Sequence, residues 1–112
     1  MKVKVTEEKL YPIFKKFMEI YFKKYEWRKD ELGIIWFVDP NGDGHLELKE
    51  NKKLWIYRYI TDQILRYIPM EESMLESLMG RWVGETFQIE GIRTGILGHL
   101  DSWDTVGETF PL

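Results

Sequence analysis

Apolar positions along this chain recur at spacings that first suggest helices. Leu10, Phe14, Phe17, Met18, Tyr21 and Tyr25 follow one another mostly at steps of three and four, with lysines 15, 16, 23 and 24 largely off the stripe. That is the period of one buried helix face. Thr6 is a candidate N-cap, and Pro12 predicts a short turn ahead of a main helix over about residues 12–26. Ile56, Ile60, Ile64 and Ile68 lie four apart beside Tyr57 and Leu65, which predicts a second helix ended by Pro69. A shorter helix is expected over about residues 70–82, with Met70, Met74, Leu75, Leu78, Met79 and Trp82 on one face. Its methionines read as core rather than as an adaptable surface.

The segment from 27 to 38, WRKDELGIIWFV, fits two periods. Leu32, Ile35, Trp36 and Val38 can line a helix. Gly33 weakens a helix, however, and IIWFV is a continuous β-favouring run. Paired with HLEL, that run makes a hairpin around PNGDG. In the C-terminal third, TFQIE alternates like a short strand and ILGHLDSW suits a helical turn. VGETF occurs twice, at 83–87 and 106–110, and reads as a short repeat pairing two similar turns. The expected fold is mainly α: a single small helical domain, 1–112, of about four helices with a minor β element.

Composition narrows the function more than the fold. A chain of 112 residues with 44% hydrophobic and 31% charged positions belongs to a globular domain with one core. Its net charge of −3 gives no sign of nucleic-acid binding. The lysines of KKFMEIYFKKYEWRK, interleaved with aromatics, do make a local basic face, either simply solvated or turned to a phosphate backbone or an acidic partner. The absence of cysteine excludes disulfides, thiolate metal sites and cysteine nucleophiles. Neither a signal-like stretch nor a run near the ~20 residues of a membrane span is present, so a cytoplasmic protein without membrane association is expected. His45 and His99 lie in no nucleophile motif, no glycine pattern cradles phosphate, and no carboxylate pair stands out, so no enzyme is expected.

One segment carries candidate chemistry. Residues 39–50, DPNGDGHLELKE, match the twelve-residue calcium loop of an EF-hand. Calcium takes six to eight oxygen ligands, and such a loop supplies them at positions 1, 3, 5, 7, 9 and 12. Those positions are Asp39, Asn41, Asp43, His45 through its carbonyl, Glu47 and Glu50. Gly44 stands at the sixth position and Leu46, an apolar anchor, at the eighth. The segment therefore resembles an EF-hand loop, and its Asp-Pro opening is similar to lanmodulin-like bacterial hands, which implies lanthanides as an alternative ion. The resemblance implies a helix–loop–helix over about residues 27–68. It also implies a non-enzymatic calcium-binding protein whose ion acts as a switch or structural clip.

No second loop accompanies it, since LDSWDTVGE has the wrong spacing and no glycine at the sixth position. A single hand therefore has to form a homodimer through the loop, lean on unrelated structure or bind weakly, and a protein partner is a further expectation. Asn51-Lys52-Lys53 also departs from the usual start of an outgoing helix. The alternative reading keeps 39–50 as a β-hairpin turn without metal, in a small interaction or inhibitor protein. The backbone of residues 34–38 separates the two: helical for the ion loop, extended for the hairpin.

Overall fold

The computed structural model describes residues 5 to 97. Helix α1 (Glu7–Tyr21) opens at Thr6, whose side chain accepts the Lys9 amide, and it places Glu7 and Glu8 in the first turn, where negative charge suits the helix dipole. Pro12 lies inside this helix on its exposed side, so the helix begins five residues earlier than its proline predicts. It also ends earlier. The chain turns after Phe22 and enters strand β1 (Glu26–Lys29) instead of running helically to residue 26.

Three more strands follow: β2 (Ile35–Val38), β3 (Gly44–Leu48) and β4 (Lys53–Tyr57). Helices α2 (Arg58–Tyr67) and α3 (Glu72–Phe87) then lead to β5 (Arg93–Leu97). The sheet order is β1-β2-β3-β4-β5, antiparallel from β1 to β4, with β5 parallel to β4. A parallel neighbour needs a crossover, and the two helices supply it. Among the described residues the fold is thus α+β, three helices with a five-stranded mixed sheet, and not a mainly helical domain of about four helices.

The local physics explains the correction. IIWFV, HLEL and LWIY are short β-favouring runs separated by turn residues. The four-residue step from Ile56 to Ile68 crosses a junction: Leu54 and Ile56 alternate in β4, whereas Ile60 and Ile64 lie on α2. A buried strand end followed by a buried helix face can imitate one long helical stripe. The third helix runs longer than its apolar face predicts, through Phe87, and takes the first VGETF and the start of TFQIE into its last turns.

All three helices cover one sheet face. Phe37, Leu46 and Ile56 are paired in register across β2, β3 and β4, with Leu48 and Leu54 beside them, and Phe14, Met18, Ile60, Ile64, Leu75 and Leu78 pack onto them. Trp36, Val38 and Tyr57 form a smaller cluster on the opposite face. Among the described residues, no helix is long and apolar enough to cross a membrane. His99, the aspartates at 101 and 104, the second VGETF and most of ILGHLDSW lie outside the described residues.

Candidate functional site

The segment from 30 to 53 is organised by three hairpin turns of one design. In the first, the Asp30 amide donates to the Ile34 carbonyl at 2.9 Å, and the Gly33 amide donates to the Asp30 carbonyl at 3.1 Å. The second repeats it: Asp39 amide to Asp43 carbonyl at 2.9 Å, Gly42 amide to Asp39 carbonyl at 2.9 Å. The third uses Lys49, Lys52 and Lys53 in the same roles. In each, the fourth residue is left-handed, with φ of 84° at Gly33, 91° at Gly42 and 68° at Lys52. Glycine takes that backbone without steric cost, which accounts for D-x-x-G at 30–33 and at 39–42.

The two aspartates also repeat each other in their side chains. Oδ1 of Asp30 accepts the Leu32 and Ile34 amides, and Oδ1 of Asp39 accepts those of Asn41 and Asp43. Oδ2 of Asp30 accepts the Trp36 indole N–H at 2.9 Å, and Oδ2 of Asp39 lies 2.9 Å from His45 Nε2. A carboxylate only accepts, so Nε2 carries the proton in this contact. Both partners stand six residues after their aspartate. Burial pushes the Asp39 carboxyl up, but the bonds from His45, Asp43 and Asn41 outweigh it and leave the carboxyl below its ordinary value.

This geometry places the expected calcium ligands apart. Residues 34–38 are without helix, and 35–38 are extended as β2. Asp39, Asn41 and Asp43 belong to the β2–β3 turn. His45 and Glu47 lie within β3, and Glu50 belongs to the β3–β4 turn at the opposite end of that strand, against Gly33 of the first turn. Leu46, the expected apolar anchor, is fully buried in the sheet centre. Among the described residues, no group of three metal-ligating side chains comes together. A strand holds positions 1 and 12 of the segment apart, whereas a calcium cage requires them around one ion. Addition of roughly 1 mM calcium after EDTA is therefore expected to leave the thermal midpoint unchanged, where a site filled to 100 times its dissociation constant would add about 2.7 kcal/mol. A clear rise in the midpoint would overturn this reading of the turn.

The register shift between Phe37 and Val38 leaves His45 without a cross-strand partner, and its ring lies between Tyr25 and Tyr59, with centroids 5.3 Å and 5.2 Å away. An Asp–His pair can move protons, but it needs a group to activate. Burial, then the charge of Asp39, pushes the Tyr25 hydroxyl up to about 12, so it stays protonated at neutral pH. Asp39 and His45 together tie the β2–β3 turn to the start of β3. The signal that reveals them is the repeat D-x-x-G-x-x-[W/H], at 30–36 and 39–45.

On the sheet face away from the helices, Glu47 is only 7% exposed and accepts the Tyr57 hydroxyl at 3.1 Å. Burial raises the Glu47 carboxyl above its ordinary value, and the hydroxyl bond offsets this only in part. A carboxyl raised by folding stabilises most below its unfolded value, about 4.3, and that contribution is lost as pH rises through the folded value. Glu47→Gln, which keeps an acceptor for Tyr57 and removes the charge, is expected to raise the midpoint at neutral pH. The gain should vanish near about pH 4, where the wild-type side chain is itself neutral. Thermal unfolding at the two pH values checks this; equal gains at both would contradict it.

The remaining feature is on the helical side. Helix α1 buries Tyr11, Phe14 and Met18, yet it carries a second apolar stripe facing outward. Ile13 is 58% and Ile20 60% exposed. Phe17 and Tyr21 stack at 4.9 Å between this stripe and α2, where Tyr67 approaches Tyr21 at 5.2 Å and Gln63 accepts the Tyr21 hydroxyl at 2.9 Å. Pro12, Ile13, Lys16, Phe17, Ile20 and Tyr21 line a hollow of about 470 Å³ whose walls are almost wholly carbon. Sequence periodicity placed Phe17 and Tyr21 in the core stripe and passed over Ile13 and Ile20. No family model matches the chain, and no curated protein or solved structure matches it either.

Proposed function

We propose that the protein is a non-enzymatic interaction module that docks a partner polypeptide on the outward face of α1 and its seam with α2. The observation that carries this is clustering. Seven large hydrophobic side chains are exposed among the described residues, and Ile13, Ile20, Tyr21 and Tyr67 gather on this one face. Scattered exposed apolar residues are ordinary, but a contiguous apolar patch with aromatic anchors is the composition of an interface core. Full burial of Ile13 and Ile20 would contribute about 1.5–3 kcal/mol each, before the costs of association.

Selection of a random library of peptides about fifteen residues long against the immobilised protein tests the proposal. Enriched peptides should bind the Ile13→Asp/Ile20→Asp double variant about tenfold or more weakly than the wild type. The variant itself should keep its thermal midpoint within a few degrees, since both positions are solvent-facing. Peptides that bind the double variant as well as the wild type would contradict a docking role for this face.

A further inference from the structure

We propose that the segment docked on the α1 face is acidic: an amphipathic polypeptide stretch carrying Asp or Glu beside its apolar residues. This rests on the docking function proposed for α1 and adds the chemistry of the partner. Lys9 and Lys16 stand seven residues apart, nearly two helical turns, and so share one flank of the Ile13–Ile20 stripe. Lys23 and Lys24, in the turn just after α1, close its end. All four are exposed, and none has an ion-pair partner among the described residues. Arg66 of α2 stands near Tyr21 on the opposite side of the stripe, with Asp62, the carboxylate of that helix, one turn before it.

Of the three carboxylates of α1, Glu7 and Glu8 reach Arg81 of α3 at 3.5 Å and 3.4 Å, and Glu19 alone stands beside these lysines, one turn from Lys16 and Lys23. A protein of net charge −3 thus presents lysines beside the exposed apolar stripe of α1.

That arrangement selects among occupants. Two copies of α1 laid face to face would bring Lys9, Lys16 and Lys24 of each against lysines of the other, an unfavourable contact. An anionic bilayer would attract the lysines, but the whole protein is net negative, which opposes its approach to a negatively charged surface. A polypeptide segment with apolar residues for the hollow and carboxylates for the lysines satisfies both features at once.

The test reads the charge of the peptides enriched from the random library and adds a second variant, Lys9→Glu/Lys16→Glu/Lys23→Glu. The expected result is enriched peptides of net negative charge that need Ile13 and Ile20, weaken about tenfold or more against the charge-reversed variant, and weaken with added salt. Peptides that need Ile13 and Ile20 but carry no net negative charge would overturn the acidic assignment while leaving the docking function in place. Peptides indifferent to Ile13 and Ile20 would overturn both. Flotation of the protein with phosphatidylserine vesicles, lost in the Ile13→Asp/Ile20→Asp variant and unaccompanied by peptide enrichment, would reassign the face to a lipid surface. A dimer in sedimentation that the same variant dissociates would reassign it to a second copy.

Discussion

Asp39→Ala is expected to lower stability by about 3 kcal/mol, whereas Glu50→Ala should leave it within about 0.5 kcal/mol. The asymmetry follows from what each carboxylate touches. Asp39 accepts two backbone amides within its own turn and holds the proton of His45, a ring that is nearly buried. Alanine removes three charge-assisted bonds and leaves the His45 N–H without its acceptor in a poorly solvated place, a loss of about 1–3 kcal/mol by itself. Glu50 is exposed and, among the described residues, accepts no backbone amide. A calcium loop would reverse the ranking in the presence of the ion, because its twelfth position supplies the bidentate ligand. The loss at Asp39 should also depend on pH. A carboxyl held below its ordinary value stabilises above the unfolded value of about 3.9 and loses that contribution as pH falls through the folded value. The difference between wild type and Asp39→Ala should therefore narrow below about pH 4. Denaturant unfolding of the two variants, with and without calcium, checks all of this; equal losses at the two positions would count against the Asp39–His45 tie.

The second large effect separates two adjacent residues on α1. Phe14→Ala is expected to lower stability by about 3–5 kcal/mol, and Ile13→Asp by no more than about 0.5 kcal/mol. Phe14 is fully buried within the cluster that joins α1 to Phe37, Leu46 and Ile60, so its removal forfeits transfer energy and leaves a cavity. For a domain of this size that is a fall in midpoint of roughly 15 °C or more. Ile13, one residue away and about 100° round the helix, faces solvent. An aspartate there costs the fold little and harms only what the face binds. Thermal unfolding of the two single variants is sufficient, and a fall of several degrees for Ile13→Asp would mean that Ile13 belongs to the core.

How far the sequence showed this depends on what each pattern shares with its competitors. Phe14 and Met18, and later Leu75, Leu78 and Met79, repeat at helical spacing in segments that are helical, so α1 and α3 were legible apart from their ends. The meander was not. Its strands are four or five residues long, too short for alternation to outweigh an imitation of helical period, and Ile56 lent its spacing to a helix it does not join. DPNGDG reads as a turn, and together with HLEL as a hairpin, as readily as it reads as an ion loop. The carboxylates at 47 and 50 matched calcium positions because β3 alternates, which puts Leu46 inward and Glu47 on the other face, and Glu50 starts the next turn. The turn design shows in the sequence only as a relation between two segments, since 30–36 and 39–45 share D-x-x-G-x-x-[W/H].

The docking face was half legible. Lysines interleaved with aromatics signalled a basic surface from residue 15 onward, with an acidic partner among its readings. Ile13 and Ile20 were hidden because each lies one or two residues from a core position, Phe14 or Met18, and only packing tells the two stripes apart. The groove along α3 near Arg81 mixes Ile89 and Ile92 with Glu76, Glu85 and Glu90, and the Arg81 guanidinium stacks on Tyr11 amid Glu7, Glu8 and Glu85.

The most direct test of the claim that α1 presents a docking face is a two-dimensional amide NMR titration with an acidic peptide enriched from the random library. The largest shift changes should map to Ile13, Lys16, Ile20, Tyr21 and Tyr67, with little change in the 39–45 turn. Changes concentrated in that turn or on the sheet face around Glu47, with the α1 resonances unmoved, would contradict the account.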